Sequence, residues 1–371
     1  MIKLAVPNIG KEEFDEIKKV LDSKYLVQGE KVLEFERMVS RYLNVNNAIA
    51  VSSGTAALHL ALIALNIKSG HEVIVPDFSF PATSNVVELV GGYSKFVDIK
   101  LDSFCIDAEK IEEKITEKTK AIIPVHEFGQ SAHMDKIMEL AKKYNLKVIE
   151  DAACALGAEY KGKKVGSIGN LGCFSFHPRK AITTGEGGMI VTNNNELAEK
   201  IRSLRNHGIS YKDGKVQFAF AGFNYRMTDI QGAIGVVQMR KLERLIKRRV
   251  ELANEYNKLL RDAEDILLPV EKVESRHVYQ TYHIMVNERI NRNHLIIKLK
   301  ENGIETNLGA YAIHNQKYYK EKYQCDDIEF RNSNLAYNQG LALPLYYGLD
   351  DENIRIIVKQ ILQLMEAVKF E

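Results

Sequence analysis

The sequence predicts an α/β fold: a large domain with a mostly parallel sheet between layers of helices, and a small C-terminal α+β domain. Three observations predict it. Short apolar runs of strand length alternate with segments of helical apolar spacing over residues 47–149. Strand ends in this part run into a turn and then a helix, the order that builds parallel pairs covered on both faces. The composition then shifts near residues 248–254, which divides the chain into residues 1–248 and 249–371.

Composition allows such a fold and narrows the function. The 371 residues are enough for two domains and a sizeable core; 45% are hydrophobic and 27% charged, an ordinary globular balance. A net charge of +2 gives no footprint for nucleic acid. The four cysteines, Cys105, Cys154, Cys173 and Cys325, form no CxxC pair, which disfavours a zinc site or a disulfide framework and suits a reducing compartment. The first residues hold no apolar core of signal-peptide length. The most apolar run, residues 56–67, contains His59 and is too short to span a bilayer. The expectation is a soluble cytoplasmic protein with no metal and no membrane partner.

Residues 11–21 and 31–42 have helical spacing around a turn at Gly29. Residues 47–53 read as a buried strand, ending in Ser52-Ser53-Gly54-Thr55 before an alanine- and leucine-rich helix. A strand, a small polar turn and a helix N-terminus together favour an anion, though Ser53 or Thr55 as a plain N-cap fits equally. Residues 72–75 form a second strand, closed by Pro76. Phe80 follows, either a core aromatic or a lid over a flat ligand, and then a helix to residue 89. Residues 121–125 are a third strand. His126 and His133 lie beyond it without metal-binding spacing, so His126 reads as a hydrogen-bonded structural histidine. A helix over 135–144 leads to a strand over 146–149 that ends at Glu150-Asp151. A carboxylate there is costly unless it meets a positive group or caps the next turn.

Residues 171–193 read as strand, basic turn, glycine turn and strand, with Lys180 at the bend. Alone, Lys180 would be a solvated charge. A helix is expected over 196–205, an irregular loop over 206–223 and a long helix over 230–260. The basic run 240–249 of that helix reads as a solvated face. The remainder predicts strands at 281–286 and 305–308, an extended piece at 343–346, and helices over 292–300 and 352–368.

Four signals thus point to one sheet edge: the turn Ser53-Gly54-Thr55, Phe80, Asp151 and Lys180. Pyridoxal 5'-phosphate (PLP) needs one of each. Its aldehyde takes a lysine, its ring nitrogen a buried aspartate, its phosphate amides and hydroxyls, and its ring a flat apolar cover.

At these residues a resemblance becomes specific. SSGTAALHLAL, PDFSFPAT, VIEDAACALGA, FSFHPRKAITTGEGG and GFNYRMTDIQGAIG resemble successive motifs of the DegT/DnrJ/EryC1/StrS family, as do HVYQTYHIMV and ALPLYYGL later on. The family comprises PLP-dependent sugar aminotransferases of the aspartate aminotransferase superfamily, fold type I, with a seven-stranded type of sheet. The resemblance implies that Lys180 is the Schiff-base lysine and proton shuttle, and that Asp151 partners the pyridine nitrogen. It implies that Gly54 and Thr55, with Ser53 beside them, and Ser175 hold the phosphate, and that Phe80 stacks on the ring. Asn224 is implied to reach the phosphate from a neighbouring subunit, so a homodimer is expected. Arg226 is near that interface, as a substrate contact or a structural salt bridge, and His314 matches a position near the substrate mouth.

Two positions depart from the family pattern. Cys154 stands where Gln or His commonly bonds the cofactor's phenolic oxygen, and a thiol is a weaker donor. His133 replaces an aspartate at a helix start. The implied reaction moves an amino group from an amino acid, L-glutamate by resemblance, through pyridoxamine phosphate to a nucleotide-linked keto-sugar. Lys180 must be neutral when freed, which is expected to come from a desolvated, cation-rich pocket. TTGEGG resembles members acting at C4 of a 4-keto-6-deoxyhexose more than C3 members. Sugar dehydratases of this type carry histidine in place of the lysine, so Lys180 disfavours that reading. A nicotinamide oxidoreductase is disfavoured because the glycines at 166, 169 and 172 precede a strand. No helix-turn-helix supports a regulator.

Overall fold

A computed structural model describes residues 1–369. At its centre is a seven-stranded sheet of β1 (Asn47–Val51), β2 (Glu72–Pro76), β3 (Tyr93–Val97), β4 (Thr119–Ile122), β5 (Lys147–Asp151), β6 (Leu171–Ser175) and β7 (Gly188–Thr192). The spatial order is β1-β7-β6-β5-β4-β2-β3. The five strands from β6 to β3 pair in parallel, and β7 runs antiparallel to both its neighbours. β1 therefore points the same way as the parallel set, and six strand C-termini lie along one edge. The apolar pattern gives no signal for β3, because it is an edge strand with Tyr93 exposed and Lys95 half-buried.

In chain order the helices are α1 (Lys11–Ser23), α2 (Glu30–Leu43), α3 (Gly54–Ala64), α4 (Ala82–Leu89), α5 (Met134–Lys143), α6 (Asn195–Arg205), α7 (Asp229–Leu260), α8 (Arg292–Glu301), α9 (Lys317–Tyr323), α10 (Arg331–Gln339) and α11 (Asp351–Ala367). β1 shows how they layer. Ala48 and Ala50 join a core with α2, α5 and the first half of α7, while Ile49 and Val51 join one with α3, α4 and α6. Alternate side chains thus feed opposite faces of the sheet. A third core takes over on α7 at Leu252 and gathers Leu295, Leu341, Leu343 and Ile357 around a small three-stranded sheet.

Several expectations are corrected. Residues 206–223 are not all irregular: Ile209–Lys212 pairs with Lys215–Phe218 in a hairpin. Its turn is Asp213-Gly214, both at positive φ, the pair that such two-residue turns favour. Residues 305–308 form no strand. Asn307 makes a single bridge to Ala342, and the Glu305 N–H donates to Ile2 instead. The last strand, Gly340–Leu343, stops where Pro344 has no N–H to offer. The basic run of α7 is not wholly solvated either: Lys241 and Arg249 are buried, Lys241 on the Glu13 carboxylate at 2.6 Å.

The glycines at 166, 169 and 172 serve packing. Buried Glu150 accepts N–H groups from Gly166, Ile168 and Gly169 at 2.6–2.7 Å, and a Cβ on Gly172 would fall 2.0 Å from the Gly166 carbonyl oxygen.

Candidate active site

The elements that end on the common edge bring the predicted residues together. β1 stops at Val51 and α3 starts at Gly54, with Ser53 accepting the Ala56 N–H at 3.1 Å as N-cap. The cap uses the serine hydroxyl, and the first-turn amides of Gly54 and Thr55 keep no intrahelical acceptor. This end of α3 abuts the end of β6: a Cβ on Gly54 would lie 2.8 Å from Ser175 Cβ. Behind it, a Cβ on Gly188 would lie 2.3 Å from the Ser53 carbonyl oxygen, so β7 must begin with glycine.

Asp151 is the last residue of β5 and is buried. It caps the turn that follows, one of the two roles left open for it. One oxygen accepts the Ala153 N–H at 3.2 Å, fixing the turn, and the other accepts the Thr83 hydroxyl at 2.8 Å. Burial pushes its carboxyl above the usual range, against Thr83, Ala153, Lys180 and His126, which favour the charge. Thr83 in turn meets the Ser79 hydroxyl at 3.1 Å. Phe80 lies between these two residues in sequence. It is 66% exposed, touching Tyr311 edge-on at 6.4 Å.

Lys180 lies beyond β6, its N–H donating to the His177 carbonyl at 2.8 Å and its Nζ to Cys154 Sγ at 3.0 Å. Asp151, Cys154 and Glu127 all act on its charge. Burial disfavours the ammonium, but these three acids outweigh it and hold the lysine above its ordinary range. The expectation of a cation-rich pocket is therefore wrong. The pocket is acid-rich, because the strand ends around Lys180 bring carboxyls and a thiol. Burial raises the Cys154 thiol, which Lys180 partly offsets.

The remaining predicted residues lie elsewhere. Asn224 is exposed on this chain, next to Tyr225, whose carbonyl accepts the Ser52 N–H at 2.9 Å. Arg226 donates to Asn206 at 2.6 Å. His314 is buried, with Nδ1 2.6 Å from Asp77 and its ring stacked on Phe330. His126 bonds Glu150 at 2.9 Å and accepts the Ala132 N–H at 3.1 Å, as a structural histidine does.

Three residues escaped the sequence reading. Thr83 sits one turn after Phe80, and a hydroxyl at that spacing from the strand end was the available signal. Arg249 hid in the basic run. It donates to the carbonyls of Gln280 at 3.0 Å and Leu345 at 3.2 Å, and reaches that of Lys180 at 3.5 Å. Glu127 is buried with its carboxyl pushed up to about 8 by burial, partly offset by Lys180.

Residues 7–362 match the model of the DegT/DnrJ/EryC1/StrS aminotransferase family. The chain belongs to that family. It is 40% identical over 97% of its length to the uncharacterized protein MJ1066 of Methanocaldococcus jannaschii, covering 96% of that protein. It is 38% identical to the GDP-perosamine synthase of Caulobacter vibrioides, covering 98% of both chains. Among solved structures, Helicobacter pylori PseC, an aminotransferase involved in the biosynthesis of pseudoaminic acid, superposes with a TM-score of 0.94 at 30% identity over 99% of both chains. The fold is that of the fold type I sugar aminotransferases, and the chain is an enzyme of the aminotransferase class.

PLP is the cofactor such a family implies, and the residues present fit it. The first-turn amides at Gly54 and Thr55 with the hydroxyl of Ser175 suit a phosphate. Asp151 is a buried acid braced by Thr83, and Lys180 is a half-buried amine at the same edge. Gly54 is the cradle that a side chain would close, since a Cβ there strikes Ser175. No helix among the described residues is long and apolar enough to cross a membrane, and no acidic, histidine or cysteine cluster there has metal-site geometry.

Proposed function

We propose that the enzyme moves an amino group from an amino-acid donor, L-glutamate, to C4 of a nucleotide-linked 4-keto-6-deoxyhexose. The observation that carries the reading is the convergence of Asp151 and Lys180, 29 positions apart in sequence, into one cluster with Cys154. The kinship with a GDP-perosamine synthase and with PseC supports a sugar nucleotide as acceptor.

PLP, when bound, supplies the electron sink that makes an amino acid's α-proton removable, cycling through pyridoxamine phosphate. Lys180 would hold it and move the proton at Nζ. Asp151 would keep a positive charge on the ring nitrogen, a role that its Thr83 bond and burial suit. Gly54, Thr55, Ser53 and Ser175 would bind the phosphate, and Phe80 would cover the ring and exclude water. Asn224 is assigned to the phosphate of a neighbouring subunit, so the working unit is a homodimer. Arg226 and His314 are assigned to the surroundings of the substrate. For His314 this is a buried role, through Asp77 and the strand that presents Phe80. Residues 1–248 are taken as the PLP-binding domain and 249–371 as the small domain.

The test is a screen of keto-sugar nucleotides with glutamate, read by the mass of the amino-sugar product. An amino group at C4 is expected; one at C3 corrects the position, and none from any keto-sugar removes the reading. Lys180→Ala is expected to abolish turnover and the near-visible absorbance of lysine-bound cofactor. Turnover at the parent rate in that variant overturns the assignment.

A further inference from the structure

Glu127 is a buried carboxyl that this reaction leaves without a task. It opens a short turn, Glu127–Gly129, just past the bridge between Val125 and Asp151. The turn is over-determined. The His126 N–H donates to the Asp151 carbonyl at 3.0 Å, while Phe128 and Gly129 carbonyls accept the N–H groups of Thr281 at 3.4 Å and Val278 at 3.1 Å. Phe128 is held at φ 54°, ψ 8°, a left-handed conformation that a bulky side chain rarely adopts. Gly129 presses on the cleft floor, where a Cβ would lie 3.2 Å from the Cys154 carbonyl oxygen. The strained turn that Glu127 opens is thereby fixed against Cys154, whose Sγ touches Lys180 Nζ. No side chain among the described residues donates a hydrogen bond to its carboxyl.

The charged groups around it are few. On the cleft side are Lys180, Asp151 and Cys154. On the other side a small cavity brings Asp102, His277 and His283, with Cys105 behind. Burial pushes both histidines down to about 3 and the Cys105 thiol up to about 12, so all three are neutral at working pH. Asp102 is committed to Lys272 at the surface. What Glu127 acts on is therefore the Lys180–Asp151 pair.

We propose that Glu127 is a positioning residue for the amine: its protonated carboxyl leaves Lys180 facing Asp151 and Cys154, and its ionisation adds an anionic neighbour that holds the lysine as an ammonium. The step is one acid ionisation, the proton leaving to solvent, with no co-reactant. Lys180 with this added anionic neighbour gives up its proton less readily and serves less well as nucleophile or base. The inference rests on the reading above in taking Lys180 as the reacting amine; the charge coupling itself does not.

Three measurements on the purified full-length protein test it. In the wild type, the pH–rate profile of amino transfer and the pH titration of the lysine-bound cofactor absorbance share an ionisation near pH 8. In E127Q, which keeps the shape and removes the ionisation, both curves are flat through that window. E127D keeps a titrating carboxyl and keeps a midpoint, shifted from the wild-type value. The third readout needs no cofactor. An acid held above its ordinary value is favoured while protonated, so Glu127 contributes a fall of unfolding temperature as pH rises from about 4.5 to about 8. Set against it is the opposite contribution of His277 and His283, which wild type and variant share. The Glu127 contribution is lost in E127Q. A wild-type midpoint retained in E127Q, or an unaltered dependence of unfolding temperature on pH, overturns the inference. If the screen above finds no amino transfer while E127Q still loses that contribution, the function falls and the charge role stands. If E127Q does not fold, an E127D midpoint identical to the wild type's overturns it.

Discussion

At the scale of single residues, the chemistry of this site turns on what surrounds one amine. Asp151 was legible in the sequence because it sits at a strand end, where a charged residue needs an explanation, and Lys180 because it stands at the bend between two strands in a stretch that resembles a family motif. Glu127 was not, since a glutamate after a histidine in a turn gives no sign that the chain folds back over it. Cys154 offers the sharper test. Its Sγ accepts the Lys180 ammonium at 3.0 Å and is one of the groups that raise the lysine. Cys154→Ala removes that acceptor and leaves burial, which disfavours the ammonium, less opposed. The Lys180 pKa is expected to fall, read as the pH dependence of amine labelling at Lys180 by mass spectrometry. An unchanged midpoint would show that the thiol contact is without effect. Glu150 is a different case, a buried carboxylate bonded to His126 and to three backbone N–H groups. Glu150→Ala strands those donors and is expected to cost about 3 kcal/mol or more of stability, measured by denaturant unfolding. The glycine-rich stretch that could pass for a nucleotide fingerprint is thus a wrapping for this carboxylate.

At the scale of elements, long periodic helices and buried strands were legible, and the short irregular pieces were not. The hairpin at 209–218 carries both signals, a period-two alternation of Ile209 and Tyr211, then Val216 and Phe218, around the Asp213-Gly214 turn, but its strands are largely exposed and join no core. The bend at 305–308 has strand-like residues but meets partners that each offer only isolated bonds. The crossing of α2 and α7 shows how close packing hides in one residue. Asp229 accepts the Val32 N–H at 2.9 Å and the Gly29 N–H at 3.1 Å, tying the start of α7 to the start of α2. One turn on, a Cβ at Gly232 would lie 2.6 Å from Val32 N and 2.7 Å from Lys31 C. Two effects oppose each other in Gly232→Ala. Helix propensity favours alanine by about 1 kcal/mol. The clash is with backbone, which cannot swing aside as a side chain does, and overpacking of this kind costs about 1–3 kcal/mol. Sterics should win, so the variant is expected to unfold at a lower temperature than the parent. A rise would mean that the two helices part without penalty.

At the scale of the whole molecule, α7 is the member common to the sheet core and the C-terminal core. The composition shift falls on it, yet the helix runs unbroken through that point, which is why no linker marks it. Arg249 stands at this junction, buried, and among the described residues its partners are all carbonyls, bridging the Lys180 turn to residues 279, 280 and 345. The outer surface raises the last question. Phe14, Tyr25, Leu26 and Val27 are exposed near the N-terminus, and Tyr211, Val216 and Phe218 on the hairpin, with Phe218 72% exposed. Apolar side chains grouped on a surface mark contacts with another chain. The hairpin springs from the segment that ends at Asn224, the residue assigned to a second subunit's phosphate. A symmetric pair, in which each chain lends what it receives, accounts for both features. The wild type is expected to sediment at twice the mass of one chain at micromolar concentration. Phe218→Asp, which sets a charge in that contact, is expected to weaken the pair and the retention of PLP together, while Asn224→Ala weakens PLP retention and leaves the mass unchanged. A wild-type chain that sediments singly yet holds its cofactor would detach Asn224 from the site and leave the exposed aromatics to some other partner.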